Sequence, residues 1–197
     1  YAEVSSALND VDEIAMYEVN ISCPNVHAGG MVFGTDPEAA ASVCRAVKAQ
    51  TDKPVVMKLS PNVTDVVAIA KACEEAGADG LSLINTLIGM SIDVNKQKPV
   101  LGNVTGGLSG AAIRPVGVRM VYQVAQAVNI PIIGMGGIAN WRDAMEYILA
   151  GASLVAVGAA NFKNPMAPLE VLEGLEAYCE QKGVDDINTL IGKAWKN

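Results

Sequence analysis

The chain has 197 residues, 51% of them hydrophobic, which predicts one sizeable core and one domain spanning residues 1–197. Acidic residues outnumber basic ones by 21 to 14, and there is no basic run of the kind that binds phosphate backbones, which disfavours nucleic acid as a partner. Charged, polar, Gly or Pro residues interrupt every apolar stretch before the roughly 18 residues that a membrane-spanning helix needs, so the sequence predicts a soluble protein.

The predicted strands are short apolar runs that alternate with longer helical patterns. Five runs are rich in Val, Ile and Leu and are bounded by turn residues: 17–22, 54–60, 80–86, 130–137 and 153–161. Helix start signals occur at Thr35-Asp36-Pro37-Glu38, at Thr64, and at Asn140 with Asp143. Residues 87–110 contain no clear helix and predict a β-hairpin excursion.

Repeated strand and helix units indicate an α/β fold with a parallel sheet. Five strands are too few for a closed barrel, so the sheet is either open and doubly wound or a (β/α)8 TIM barrel lacking its first strands. Polar side chains collect on one strand face, as Glu18 and Asn20 do opposite Val19, and Lys58 does on the next strand. The central strands of an open sheet would be apolar on both faces, so this pattern favours the partial barrel.

The four cysteines are scattered, with no pair at metal-binding or redox spacing, and a chain of this size needs no disulfide framework. We interpret them as reduced thiols, which predicts a cytoplasmic location. Cys44 and Cys73 lie on the apolar stripes of predicted helices and suit a core position. Cys23 differs, because it follows a predicted strand and is framed by asparagines in Asn20-Ile21-Ser22-Cys23-Pro24-Asn25.

Glycine-rich segments end the last two predicted strands, at Gly134-Met135-Gly136-Gly137-Ile138 and Val157-Gly158-Ala159-Ala160-Asn161. Their backbone amides, with the helix that follows the first, suit a phosphate group, and the last two loops of a barrel are a frequent phosphate site. Tight turns are the alternative interpretation. The glycine spacing does not match a dinucleotide-binding fingerprint.

Three polar features allow both a functional and a structural interpretation. Lys58 lies in a predicted buried strand, so its ammonium either meets an anion or extends to solvent. The pair Asn85-Thr86 ends the next strand at the same level, as ligand contacts or as an ordinary turn. His27 follows Cys23 by four residues, but nothing later suggests a group to orient it, so we favour a loop histidine over a Cys-His dyad.

Taken together, the residues resemble the class 1 dihydroorotate dehydrogenases, and most closely class 1B, the flavoprotein subunit of the NAD-linked enzyme. The resemblance covers essentially the whole chain. It is carried by Asn20 to Asn25, Gly29-Gly30, Phe33-Gly34-Thr35-Asp36-Pro37, Val56-Met57-Lys58-Leu59-Ser60-Pro61-Asn62, Ile84-Asn85-Thr86, Gly106-Gly107-Leu108-Ser109-Gly110, Gly134-Met135-Gly136-Gly137-Ile138 and Val157-Gly158. It implies a flavin-binding (β/α)8 barrel, of which this chain resembles the carboxyl-terminal two thirds.

The resemblance also implies roles for individual residues. Cys23 resembles the general base that removes a proton from dihydroorotate while a hydride leaves for FMN. The substrate-binding residues would be Asn20, Asn25, Asn85 and Thr86, and the FMN-binding residues would be Asn20, Lys58, Ile84, Gly110, Gly136, Gly137, Gly158 and Ala159. Ala159 departs from the family pattern, which has a threonine hydroxyl there, and this departure implies weaker phosphate binding.

The function implied by the resemblance is oxidation of dihydroorotate to orotate in pyrimidine biosynthesis. Its implied partners are a second copy of the subunit, in a homodimer, and an electron-transfer subunit with FAD and a 2Fe-2S cluster that reduces NAD. Three alternatives remain open: a fumarate-linked class 1A enzyme, the pyrimidine-reducing barrel domain of dihydropyrimidine dehydrogenase, and a non-catalytic fragment that binds a phosphate ligand.

Overall fold

The structure is a computed structural model that describes residues 1–22 and 30–196. The β-strands are β1 Tyr17–Asn20, β2 Val55–Lys58, β3 Gly80–Leu83, β4 Leu87–Met90, β5 Ile92–Asp93, β6 Lys98–Pro99, β7 Thr105–Leu108, β8 Ile132–Met135 and β9 Leu154–Ala156. The α-helices are α1 Ala2–Leu8, α2 Gly30–Thr35, α3 Pro37–Lys48, α4 Val66–Glu75, α5 Arg114–Ala125, α6 Trp141–Ala150 and α7 Ala167–Lys182. Short 3₁₀ helices span Ala111–Ile113, Ala159–Phe162 and Ile187–Leu190.

The main sheet is parallel and has the strand order β1-β2-β3-β8-β9. Each of the five strands lies inside a run that the sequence predicts, but each is shorter than its run. The predicted strand at 17–22, for example, pairs only as far as Asn20. Apolar patterning continues into the residues that leave the sheet, so it overestimates strand length.

The two faces of this sheet have different surroundings. The register row Val19, Met57, Leu81 and Ile132 is at most 7% exposed, because the helices pack against it. The adjacent row, on the opposite face, begins with exposed Asn20 on β1 and ends with Leu154 on β9, which is 61% exposed. A doubly wound sheet has helices on both faces. The observed arrangement is therefore that of a partial barrel, in which the helices form the outer layer.

Side-chain caps fix the starts of three helices. Asp36 accepts a hydrogen bond from Ala39 N–H at 2.7 Å and starts α3 with Pro37 in its first turn, as the sequence predicts. Asn140 and Asp143 form a capping box at the start of α6, also as predicted. The predicted start of α4 at Thr64 is wrong by one residue, because the Asp65 carboxylate caps the helix by accepting from two backbone amides.

The excursion after β3 is a β-hairpin, which confirms the interpretation of residues 87–110. Strands β4 and β7 pair antiparallel, and β5 pairs with β6 further out. Helices α1, α2, α5 and α7 are not among the helices that the sequence predicts. The last two begin with Pro in the first turn and contain an internal glycine, which weakens the helical pattern.

The thiols of Cys44 and Cys73 are fully buried in the core, as predicted. Burial raises the pKa of Cys44 to about 11 and that of Cys73 to about 12, so both remain protonated at neutral pH. In residues 1–22 and 30–196, no helix combines the length and the hydrophobicity needed to cross a membrane.

Candidate functional site

A cavity of about 490 Å³ lies at the carboxyl ends of the parallel strands. Its walls come from β1 and β2, from the turns after β3, β8 and β9, and from the residues that follow the hairpin. The lining residues are Glu18, Lys58, Ile84, Asn85, Thr86, Ser109, Gly110, Ile113, Met135, Gly136, Gly137, Ala156, Val157, Gly158, Ala159 and Phe162. This is the end of the sheet at which barrel enzymes place their ligands.

The cavity brings together nine of the residues that the sequence singles out: Lys58, Ile84, Asn85, Thr86, Gly110, Gly136, Gly137, Gly158 and Ala159. Asn20 is not on the cavity wall, but its side chain is hydrogen-bonded to that of Asn85. Cys23, Asn25 and His27 lie outside the described residues. A second cavity of about 500 Å³, beside Pro131 and Trp195, contains none of the predicted site residues.

Lys58 and Glu18 form an ion pair on the cavity wall, with 3.2 Å between Lys58 Nζ and Glu18 Oε2. Lys58 is the last residue of β2, and Glu18 lies on the neighbouring strand β1. Their side chains are 20% and 33% exposed, respectively. The sequence indicates no specific partner for the Lys58 ammonium, and the structure pairs it with the Glu18 carboxylate on the same face of the sheet.

Asn20, Ser22 and Asn85 form a hydrogen-bonded network beside the cavity. The Asn85 amide Nδ2 donates to Ser22 Oγ at 2.8 Å and to Asn20 Oδ1 at 3.1 Å. Backbone N–H groups fix the orientation of both amides, because Ser22 N donates to Asn20 Oδ1 and Thr86 N donates to Asn85 Oδ1. Ser22 is only 1% exposed. The network presents two oriented carboxamides at the ends of β1 and β3.

The base of the hairpin is fixed against the end of β2. Asn62 Nδ2 donates to Thr86 O at 3.0 Å, and Ile88 N donates to Asn62 Oδ1 at 2.9 Å. Gly107 of β7 is packed closely on Thr86, since a Cβ at Gly107 would lie 2.2 Å from Thr86 Oγ1. Only glycine therefore fits at position 107 while Thr86 keeps its place on the cavity wall.

The turn after β8 requires glycine for conformation and for space. Gly136 and Gly137 have φ values of +120° and +74°, and a Cβ at Gly137 would lie 2.6 Å from the carbonyl oxygen of Gly110. Tyr147 of α6 is fully buried behind this turn, and its hydroxyl lies 2.7 Å from Gly136 O, to which it donates. Burial raises the pKa of Tyr147, so the phenol stays a neutral donor. The turn is therefore supported from inside the core.

The same turn is tied to α5 and α6 by a carboxylate. Asp143 is 4% exposed and accepts from the backbone amides of Ala139 and Asn140 at 3.0 and 3.2 Å. Arg114, at the start of α5, forms an ion pair with the same carboxylate. These contacts join the start of α5, which follows the hairpin, to the start of α6, which follows the glycine turn after β8.

The sequence indicates a polar strand face for Glu18 but no partner, and it indicates no role for Tyr147 or Lys163. A tyrosine among the apolar positions of α6 was the available signal for a buried hydroxyl with a backbone partner. Lys163 lines a smaller cavity of about 260 Å³ that shares Gly110, Gly137 and Ala159 with the main one. No local pattern marked this lysine.

Comparison with known proteins shows the family of the chain. The model of a protein family described as dihydroorotate dehydrogenase matches residues 1–179. The chain belongs to the dihydroorotate dehydrogenase family. A protein of Trichlorobacter lovleyi named dihydroorotate dehydrogenase B (NAD(+)), catalytic subunit, is 59% identical over 192 residues, which are 98% of this chain and 63% of that protein. A protein of the same name from Desulforamulus reducens is 59% identical over 194 residues, which are 98% of this chain and 64% of that protein.

A solved structure from Eimeria tenella, of a dihydroorotate dehydrogenase (DHODH) in complex with ferulenol, has the same fold. It superposes with a TM-score of 0.81 at 23% sequence identity, and the match covers 98% of this chain and 58% of that one. The TIM-barrel class predicted from the sequence is thereby confirmed, with a barrel that is incomplete within residues 1–22 and 30–196. The chain spans slightly less than two thirds of the length of the curated relatives that it matches.

Proposed function

We propose that a protein containing this chain oxidises dihydroorotate to orotate in pyrimidine biosynthesis, with FMN bound in the 490 Å³ cavity and NAD as the final electron acceptor. The observation that carries the proposal is that one cavity unites a lysine, an asparagine-threonine pair and two glycine-rich strand ends. The names of the relatives favour NAD over fumarate as the acceptor.

The family is flavin-dependent, and the cavity fits FMN in its chemistry. Apolar side chains of Ile84, Ile113 and Val157 suit an aromatic ring system. The glycine turn after β8 suits a phosphate, because neighbouring atoms leave no room for a side chain at Gly137 and the bare backbone can approach an anion closely. Gly158 has open space around the position that a Cβ would occupy. Ala159 adds no hydroxyl, so backbone groups would hold most of the phosphate.

FMN, when bound, supplies the two-electron acceptor for the hydride of the substrate. Lys58 would place positive charge beside the ring, where such charge favours the reduced anionic form. Asn85, Thr86 and Asn20 would bind the amide edge of the pyrimidine, since carboxamides donate and accept side by side.

The base that removes the substrate proton remains a prediction for Cys23. An ordinary thiol has a pKa near 8.5 and is mostly protonated at neutral pH. The role therefore requires either a lowered pKa or a coupled proton relay.

The proposed assembly follows the same relatives. They are named as catalytic subunits, which implies a further subunit. We propose that this partner carries FAD and a 2Fe-2S cluster and passes electrons to NAD, and that the catalytic subunit is a homodimer.

The deciding experiment is an absorption spectrum of the full-length protein before and after anaerobic dihydroorotate. We expect a flavin spectrum that dihydroorotate bleaches and dihydrouracil does not. A protein without bound flavin, or a bound flavin that dihydroorotate leaves oxidised, contradicts the proposal. Bleaching by dihydrouracil would assign the site to another pyrimidine, and reoxidation by fumarate without a partner would replace NAD as the acceptor.

A further inference from the structure

Glu18 is a charged residue of the ligand cavity to which the proposed function gives no role. It lies on β1, two residues before Asn20 and on the same face of the strand. Its carboxylate contacts Lys58 Nζ at 3.2 Å. Both side chains line the cavity. Glu18 therefore lies next to Lys58, the cation that is proposed to face the flavin.

The pair is not a surface ion pair of the common kind. Glu38 and Arg45 on α3 have side chains 79% and 52% exposed, whereas Glu18 and Lys58 are 33% and 20% exposed. Exposed pairs are screened by water and contribute little, while charges at a partly enclosed cavity act more strongly on a nearby ligand. The Glu18 carboxylate therefore affects the electrostatic potential at a group bound in the cavity.

The geometry leaves Lys58 able to bind Glu18 and a ligand at once. An ammonium has three N–H donors. Within the described part of the chain, Lys58 Nζ donates a hydrogen bond only to Glu18, and this bond uses one donor. The remaining donors are available to a group in the cavity while the carboxylate holds the ammonium in place.

We propose that Glu18 is a positioning residue and counter-charge for Lys58, which fixes the ammonium beside the flavin ring and lowers the reduction potential of the bound FMN. The inference rests on the proposed function, because it requires FMN in this cavity. Its physical basis is that a cation near the ring stabilises the reduced anionic flavin, and a carboxylate next to that cation offsets part of the effect.

Glu18→Gln separates charge from position. Glutamine keeps the side-chain length and an oxygen that accepts from Lys58, but it removes the negative charge. In the full-length protein we expect the bound FMN to favour the reduced form by about tenfold more than in the wild type. For a two-electron couple this corresponds to a midpoint potential raised by about 30 mV. Reductive titration against a reference dye measures this shift without turnover.

Two variants accompany the measurement. Glu18→Asp keeps the negative charge and is expected to leave the potential close to the wild-type value. Glu38→Gln makes the same chemical change in the exposed ion pair on α3, outside the cavity, and is expected to cause no shift. Should Glu18→Gln fold poorly, Glu18→Ala removes the same charge and is expected to raise the potential as well.

A potential that is unchanged or lowered in a flavin-loaded Glu18→Gln protein overturns the inference and leaves the proposed function standing. A shift of equal size in Glu38→Gln also overturns it, because the effect would then not depend on the cavity. Absence of FMN from the wild-type protein overturns both the inference and the proposed function.

Discussion

At the residue scale, the hydroxyl of Ser22 joins the two carboxamides of the candidate site. It contacts Asn85 Nδ2 at 2.8 Å and Asn20 Oδ1 at 3.1 Å from a buried position. Its removal in Ser22→Ala deletes both hydrogen bonds, at a cost of about 0.5–1.5 kcal/mol each, while Asn85 Nδ2 keeps Asn20 Oδ1 and Ser22 O as acceptors. Without the hydroxyl, the two amides that meet the ligand should also be less well ordered.

We therefore expect Ser22→Ala in the full-length protein to bind orotate on the order of tenfold more weakly, with FMN retained. Titration of the flavin absorbance with orotate measures this affinity. Ser42→Ala is the matched control, because Ser42 donates to Ala39 O on the exposed surface of α3. Unchanged orotate affinity in a folded Ser22→Ala protein would remove Ser22 from this role.

Individual residues also mark the limit of what the sequence predicts. The grouping of Lys58, Asn85 and Gly136 at one end of the sheet follows from each residue ending a parallel strand, which local patterning identifies. The partnership of Lys58 with Glu18 depends on the register of β1 against β2. Register is a tertiary property, so the sequence indicated a polar face but not which charges on it meet.

At the element scale, Asp79 ties the end of α3 to the start of β2. Its carboxylate oxygen Oδ2 accepts from Lys48 Nζ at 2.8 Å and from Val55 N at 2.7 Å. Partial burial alone would raise the pKa of Asp79, but the hydrogen bonds from Lys48 and Val55 outweigh it and hold the pKa below its ordinary value. A carboxyl with a lowered folded-state pKa stabilises the fold above its unfolded-state pKa and loses this effect as the pH falls.

Asp79→Asn should accordingly lower the free energy of unfolding by about 1 kcal/mol at pH 7, a modest value because the side chain is 43% exposed. The difference from wild type should shrink as the pH drops below about 4, where the unfolded chain takes up protons. Urea denaturation at a series of pH values measures this. Asp12→Asn, in the exposed loop before β1, serves as the control. A penalty that is independent of pH would contradict the linkage.

The hairpin formed by β4 and β7 depends on Asn62. Its side-chain amide donates to Thr86 O and accepts from Ile88 N, as the backbone of a neighbouring strand would. Asn62→Ala should make the backbone amides of β4 exchange with solvent about tenfold faster, with little change in global stability, because only local opening becomes easier. Hydrogen exchange detects this change. Asn103→Ala, at an exposed position in the same excursion, is the control. Equal exchange in Asn62→Ala and wild type would argue against this anchor.

Elements with strong local signals were predictable, and those without were not. The capping residues of α3 and α6 and the turn glycines around β8 lie next to the elements they define, so a short window of sequence suffices. Helix α7 contains Pro168 and Gly174, which weaken its local helical pattern. Its packing against the rest of the fold depends on contacts such as that of Gly174 with Trp141. A Cβ at Gly174 would lie 2.3 Å from the Trp141 ring, so the glycine serves packing rather than termination.

At the scale of the whole molecule, helices cover one face of the sheet, and the other, here called the open face, is exposed at its ends, at Asn20 and Leu154, although Ser82 at its centre is buried. Within residues 1–22 and 30–196, β1 and β9 each pair with a strand on one side only. Unpaired strand edges and exposed apolar side chains promote association between copies. In a closed barrel the open face becomes the interior, so the same residues should change from exposed to buried in a protein of the relatives' full length.

Leu154 on β9 tests this change of environment, because it is 61% exposed here on the face that a closed barrel would enclose. We expect Leu154→Lys to reduce self-association of the 197-residue chain, measured by sedimentation. The same substitution should destabilise the full-length protein by roughly 2 kcal/mol or more, since it buries an unpaired charge. Leu172→Lys on α7, 51% exposed, should change stability by about 0.5 kcal/mol or less in both proteins. A full-length Leu154→Lys protein as stable as the wild type would mean that this face is not the barrel interior.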